Sequence, residues 1–452
     1  MKRLHSVSAS LLLTLAGISP AGVSSQEEGV VDIGSRLELF VDRFLIDEMS
    51  NVQLRLHPPQ LASSVNQPFC AYSTVIKNGD IYRMYYRSGV SGYDGDPRET
   101  YCYAESRDGV HWTTPDLGIH EINGNRSNNA IMANTPWVAH NFTPFLDTRP
   151  GVATDERYKA LAGVHKGGGL FAFVSDDGIH WKKLRDEPVI RSSDFAFDSQ
   201  NVSFWSEGEG CYVCYFRTWN TPHGRLRTIS RITSPDFVNW TEALPMNPNK
   251  PGEHLYTNGT HPYFRAAHIY IALPTRFLPD RGDSTDIVFM TTRGGNRCDR
   301  TFLEAFIRPG LDPERWGNRA NYAALNVVPT GPAEMSIYVR DMRYILRTDG
   351  FVSINASFAG GEMVTKPIRF KGKELVVNFS TSASGSIRVE AQTPAGEPIP
   401  GYALADCPEI IGDAIERVVS WRSGSDLSRL SGQPVRLRFV MKDADLCSLR
   451  FR

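Results

Sequence analysis

Short runs in which apolar and polar residues alternate, broken every few positions by Gly, Pro, Asn or Asp, fill most of the chain. Alternation of that kind puts one face of a strand inward, and the interruptions make tight turns. Residues 81–87, 158–164, 212–217 and 268–274 are the clearest strands. No long stretch carries a helical period, so the pattern predicts an all-β protein.

A seven-residue motif punctuates this pattern. Ser106-Arg-Asp108-Gly109-Val-His111-Trp112 returns as Ser175-Asp-Asp177-Gly178-Ile-His180-Trp181, and more loosely as Ser234-Pro-Asp236-Phe237-Val-Asn239-Trp240. Asp closes such a turn through its side chain, and Gly relieves the backbone. The copies recur about every 60 to 70 residues, room for one blade of four strands. A fourth unit spans roughly residues 256–316 and keeps Asp312 and Trp316 at altered spacing. A fifth, near residues 322–349, is too short for four strands. Segment 37–56 is expected to supply the missing strand, because closing the ring removes an exposed edge.

From about Gly350 the units stop. Short strands at 374–380, 386–391, 435–441 and 446–451 read as a β-sandwich. The expected architecture is a five-bladed β-propeller over residues 26–349 followed by a C-terminal β-sandwich over 350–452.

Residues 1–25 read as a secretory signal: Lys2 and Arg3, an apolar stretch at 9–18, then small residues through Ser25. The stretch is too short for a membrane span and no second one follows. The expected location is secreted or periplasmic. A net charge of −1 leaves no basic footprint for nucleic acid. Seven cysteines are no disulfide framework. Cys211 and Cys214, three apart on a strand, face opposite sides, while Cys407 and Cys447 are the candidate pair of the C-terminal domain. Zinc, EF-hand, P-loop, dinucleotide and nucleophile-elbow signatures are all missing, so neither metal nor cofactor is expected.

The chemistry is sought where the loops heading the innermost strands converge on one axial mouth. Polar clusters stand at those heads, and Asp147, Asp198, Glu253 and Glu334 are their carboxylates. Glycoside hydrolysis uses one carboxylic acid to protonate the leaving oxygen and a second carboxylate as nucleophile or base. Asp198 is expected as base or nucleophile and Glu253 as general acid, with Glu334 and Asp147 tuning or positioning them. His140, Asn141, Gln200, Arg217, Trp219, His254, Tyr256, Asn258 and Arg276 complete the expected substrate-binding set. Aromatic faces stack on sugar rings, and Arg217 and Arg276 suit carboxylate or sulfate groups. His111 and His180 belong to the repeated turns and are expected to be scaffold.

The Ser-x-Asp-Gly-x-x-Trp turns after tyrosine-rich strands resemble those of the five-bladed propeller glycosidases of families 32 and 43. Leu39-Phe-Val-Asp42, Leu56-His57-Pro-Pro59, Phe197-Asp198-Ser-Gln-Asn201, Glu253-His254-Leu-Tyr-Thr-Asn258 and Leu346-Arg-Thr-Asp-Gly350-Phe-Val resemble exported planctomycete proteins described as family-32-like glycosyl hydrolases. The second likeness spans nearly all of the chain beyond the leader. It implies a glycoside hydrolase acting on a polysaccharide or oligosaccharide, anionic or sulfated ones included. It also implies a catalytic trio of a first-blade aspartate, a second- or third-blade aspartate and a later glutamate. The first blade departs from that trio: Asn66, Gln67 and Cys70 stand where an acid is implied, and the nearest acids are Asp80 and Asp94. A non-catalytic carbohydrate-binding propeller is therefore the alternative. A lyase on this scaffold would need a Tyr/His or Lys base near an arginine, and a phosphorylase a basic pocket beside one acid.

Overall fold

The alternating runs form antiparallel meanders, laid down one after another along the chain. The computed structural model describes residues 29–64, 72–88, 99–135, 137–192 and 196–452. The expected leader, Asn66, Gln67, Cys70 and Asp94 lie outside the described residues.

The first sheet holds Thr74–Asn78, Ile81–Ser88, Thr100–Ser106 and Ala130–Met132, with Trp112–Thr113 beside the third of these. The second runs Thr143–Leu146, Tyr158–Val164, Gly169–Ser175, Lys182–Lys183, and the third Val202–Ser206, Cys211–Thr221, Gly224–Ser234, Leu244–Pro245. The fourth unit splits into two sheets: His261–Tyr263, Ala266–Ala272 and Met290–Thr292 in one, His254–Leu255, Thr275–Leu278, Ser284–Val288 and Ala305–Ile307 in the other. The fifth unit's sheet contains Val328–Pro329, Glu334–Val339, Met342–Arg347 and Gln60–Ser64.

The first strands of these units touch in cyclic order. Thr74–Asn78 lies against Thr143–Leu146, that against Val202–Ser206, and that against His261–Tyr263, while Val328–Pro329 packs back on Thr74–Asn78. Side chains stitch the units together. Val327 N–H donates to His261 Nε2 at 3.1 Å, and Asn326 Nδ2 to the Val75 carbonyl at 2.8 Å. At one end of the axis a cavity of about 520 Å³ is walled by Val75, Phe145, Phe204, His261 and Val327.

The missing strand of the fifth unit is Gln60–Ser64, not the 37–56 segment expected from sequence. The reason is physical. Leu39, Phe40, Leu45 and Ile46 are buried, and residues 46–56 pair instead with Gly361–Thr365 and Val352–Ala356. An outer edge strand needs only backbone partners, so the polar Gln-Leu-Ala-Ser-Ser run serves, with Leu61 exposed.

The C-terminal residues and the 31–56 segment form one ten-stranded sheet around a core that includes Phe40, Phe379, Val389, Trp421, Phe439 and Phe451. The four short strands expected at its centre are two long ones, Leu375–Gln392 and Pro434–Phe451, paired along their length. The polar breaks at Ser382–Gly385 and Lys442–Asp443, which read as strand ends, are a bulge in continuous strands. A Cβ on Gly385 would come within 2.3 Å of the Asp443 carbonyl, so only glycine fits there. Cys407 and Cys447 are free thiols, not a pair. Cys211 is half-buried and Cys214 fully buried, on opposite faces as the alternation requires.

The repeated motif folds as its chemistry dictates. In the second copy Ser175 Oγ donates to Asp177 Oδ1 at 3.0 Å, and the same oxygen accepts from Ile179 N at 2.7 Å and His180 N at 2.8 Å. Asp177 Oδ2 meets His180 Nδ1 at 2.8 Å. In the third copy Asn239 Nδ2 takes the histidine's place at 2.6 Å, and Phe237 adopts the left-handed φ of 68° that glycine adopts in the other two. Trp181 packs edge-on against Phe142 and Tyr85, carrying the turn into the core shared with the preceding unit.

Candidate active site

The third sheet's central hairpin is unusually long, eleven residues in each strand. Val202, at the start of the first strand, pairs with Tyr215, so residues 216–230 project past that start. This overhang carries Arg217, Trp219, Arg225 and Arg227 out to the loop that bears Asp198. A register shift between Thr218 and Asn220 places Trp219 in the bulge.

Asp198 is partly open to solvent, with its side chain 36% exposed. Arg217, only 4% exposed, donates from Nη2 to Asp198 Oδ2 at 3.0 Å. On the other side His140 Nε2 stands 3.8 Å from Asp198 Oδ1. The His140 ring is buried, and its Nδ1 lies 2.8 Å from Glu99 Oε2. A carboxylate at Nδ1 fixes that nitrogen as a donor and aims Nε2 at Asp198. Arg87 lies 3.9 Å from Glu99.

Beside this line is an aromatic floor. Tyr322 stacks between Tyr72 and Tyr256, with ring centroids 5.4 Å apart on both sides. The three rings come from the heads of the first, fourth and fifth units, and Phe277 completes the cluster. Burial, reinforced by Tyr256 and Asp198, pushes the Tyr72 hydroxyl far above its ordinary range, so it stays a neutral donor. Arg217 lies over Tyr256 and Trp219 at 5.4 Å from each, and Arg227 over the same two rings at 4.7 Å. Arg227 N–H donates to His254 Nδ1 at 3.0 Å. Burial and the Arg227 charge hold His254 below its usual range.

Of the predicted residues, this gathers Asp198, His140, Arg217, Trp219, His254 and Tyr256. The other three acids do not join them. Asp147 is sealed, with Lys159 Nζ at 3.1 Å and the Tyr212 hydroxyl donating at 2.6 Å. Glu253 is gripped by Arg300 through contacts of 2.6 and 3.0 Å and accepts from Lys250 N. Glu334 pairs with Arg343 at 2.9 Å and borders a separate cavity of about 580 Å³ lined also by His57, Arg347 and Asp445. Four polar side chains expected to meet substrate are structural. Asn141 donates to the Phe197 carbonyl, Gln200 to Ser73 O and Thr74 Oγ1, and Asn258 to Gln200 O and Tyr215 O. Arg276 is spent on Asp286 and the Leu303 carbonyl.

Sequence reading missed Glu99, Arg87, Arg227, Arg319, Tyr72 and Tyr322 as site residues. A tyrosine heads the first, fourth and fifth units alike, and that recurrence was the available signal. Among the described residues no group of three or more His, Cys, Asp or Glu is placed to hold a metal ion. No helix among them is long and apolar enough to cross a membrane.

No family model matches the chain. Two uncharacterized proteins of Mycobacterium tuberculosis, from strains CDC 1551 / Oshkosh and ATCC 25618 / H37Rv, are each 27% identical to it over 151 and 155 residues, 32% of this chain. The chain spans 45% of the length of these curated relatives. Similar solved structures include a glycoside hydrolase at TM-score 0.46 and 14% identity, covering 64% of this chain and 91% of the other. A family 43 arabinoxylan arabinofuranohydrolase from Bacillus subtilis follows at 0.39 and 15%, covering 86% and 96%. The β-1,2-mannobiose phosphorylase of Listeria innocua stands at 0.46 and 11%, covering 63% and 91%.

Proposed function

We propose that this protein is a glycoside hydrolase acting on a polysaccharide or oligosaccharide at the mouth that holds Asp198. We read its architecture as a five-bladed β-propeller, closed by Gln60–Ser64, carrying a β-sandwich built from residues 31–56 and 350–452. The leader expected over residues 1–25 makes it an exported, secreted or periplasmic protein.

One observation supports the activity above all: an open carboxylate set in a bowl of aromatic rings, with residues drawn from all five units. Tyr72, Tyr256, Tyr322 and Trp219 supply the faces on which sugar rings stack, and Asp198 supplies the reactive oxygen. Paired with Arg217, Asp198 is presented as a carboxylate suited to the base or nucleophile role. Glu99 acts through His140 as a positioning residue. Glu253, Glu334 and Asp147 hold the scaffold.

A second reading, carbohydrate binding without cleavage, is favoured by one feature: the other three predicted acids are locked in ion pairs away from Asp198. Both readings meet one test, release of new reducing ends from a panel of polysaccharides and oligosaccharides. The hydrolase reading expects release by the wild type, none by Asp198→Asn, and wild-type release per folded molecule by Glu253→Gln. Retention of a glycan with no release identifies the binding protein. Equal release by Asp198→Asn removes the site assignment.

A further inference from the structure

Among the described residues, the mouth carries more cation than Asp198 can satisfy. Arg217, Arg227 and Arg319 all lie against the tyrosine and tryptophan rings around that one carboxylate. Glu99 does not balance them, since it faces His140 and Arg87.

The surplus is not idle solvent-facing charge. Arg217 spends only Nη2 on Asp198. Its Nε and Nη1 are buried with no hydrogen-bond partner among the described residues, and so is Nε of Arg227. Buried guanidinium nitrogens left unmatched are costly, and the oxygens of a bound anion would match them. The two groups share the Tyr256 and Trp219 faces, so both guanidiniums are set over one pair of rings before anything binds. Rings under a guanidinium leave its edge free to fork onto two oxygens. Burial, with repulsion from Arg217, lowers Arg227 below its ordinary range.

We infer that Arg217 and Arg227 form an oxyanion-binding site beside Asp198, taking phosphate, sulfate or carboxylate oxygens. The anion comes from one of two sources: free inorganic phosphate, or a sulfate or uronate group carried by the sugar. This deepens the glycoside reading. It needs no turnover to be tested, so the two fail separately: Asp198→Asn loses cleavage under the first, yet keeps anion binding under the second.

The test is calorimetric titration of the full chain at fixed ionic strength, chloride serving as the non-coordinating control. The probes are inorganic phosphate, sulfated and uronic-acid oligosaccharides, and their neutral counterparts. Binding of phosphate that weakens about 10- to 100-fold in Arg227→Gln, the loss of one charged hydrogen bond, identifies the free anion. Binding of acidic but not neutral oligosaccharides, with the preference lost in Arg227→Gln, identifies the substituent. Arg227→Lys, which keeps the charge and loses the fork, gives an intermediate loss and serves if the glutamine variant fails to fold. No anion binding beyond chloride, or binding indifferent to both variants while their melting temperatures match the wild type, overturns the site.

Discussion

Arg217 reaches Asp198 across 3.0 Å from a side chain that is 4% exposed, so a nearly sealed cation fixes the orientation of the mouth's open carboxylate. The Trp219 and Tyr256 rings, each 5.4 Å from the guanidinium, leave it little room to turn elsewhere.

Asp198→Asn therefore separates chemistry from stability. If Asp198 is the base or nucleophile proposed above, its removal costs about 10²–10⁴ in turnover. Asp198 is 36% exposed, so solvent screens the pair and the stability change stays near ~1 kcal/mol. Turnover measured beside thermal melts checks this. A folded variant that cleaves at the wild-type rate defeats the assignment.

Glu253→Gln is expected to do the reverse. Glu253 and Arg300 are each 6% exposed and paired through two contacts. Removing one partner of such a pair leaves the other buried and unmatched, at about 3–5 kcal/mol. Replacing both with apolar groups of similar volume, as in Glu253→Leu with Arg300→Met, recovers much of that loss. Denaturant melts of the two single variants and the double variant measure the coupling. Additive losses would show that the pair is not a unit.

The parts of this molecule that were legible in the sequence are those whose partners are close along the chain. The Ser-x-Asp turns bond within themselves, so three copies announced both their fold and the repeat. The site was half legible: His140, Asp198 and Tyr256 sit at unit heads, where convergence was expected. Glu253 and Asp147 sit at similar heads, yet their fate is set by Arg300, Lys159 and Tyr212, which no local pattern connects to them. Arg227 depended on how far the third hairpin overhangs its neighbours, a matter of strand register. Segment 37–56 does not close the ring, because Phe40, Leu45 and Ile46 are buried in the C-terminal core, while closure at an outer edge requires only the backbone pairing that Gln60–Ser64 supplies.

Arg293→Met tests how the N-terminal segment is held. Arg293 joins Glu38 at 2.7 Å and Asp42 at 2.7 Å, and Glu38 is wholly buried. Burial pushes Glu38 up, but the hydrogen bond from His268 and the charge of Arg293 overcome it and bring the carboxyl down to about 2. A depressed carboxyl contributes stability above its unfolded pKa of about 4.3 and loses it as pH falls toward 2. The variant loses about 3–5 kcal/mol at neutral pH. The deficit narrows as pH drops through 4, where Glu38 can take a proton. Melts from pH 3 to 7 test it, and a deficit that does not change with pH would exclude this origin.

His261 gives the axis its own acid limit. It lies fully buried between the fourth and fifth units, its Nδ1 donating to Gly259 O at 2.9 Å and its Nε2 accepting from Val327 N at 3.1 Å. Both nitrogens are used only if the ring is neutral, because an imidazolium has no lone pair for Val327. Burial drives its pKa down to about 4, with the Gly259 bond opposing. In the unfolded chain the ring titrates near 6.5. The folded value is depressed, so the stability it contributes is complete above about 6.5 and declines as pH falls from there to about 4. His261→Phe abolishes that slope and strands the Val327 N–H, at about 1–3 kcal/mol. The two effects have different signatures in a pH series of denaturant melts: a constant offset above pH 7, and curves that converge toward pH 4. Parallel curves across the whole range would place the acid sensitivity elsewhere in the fold.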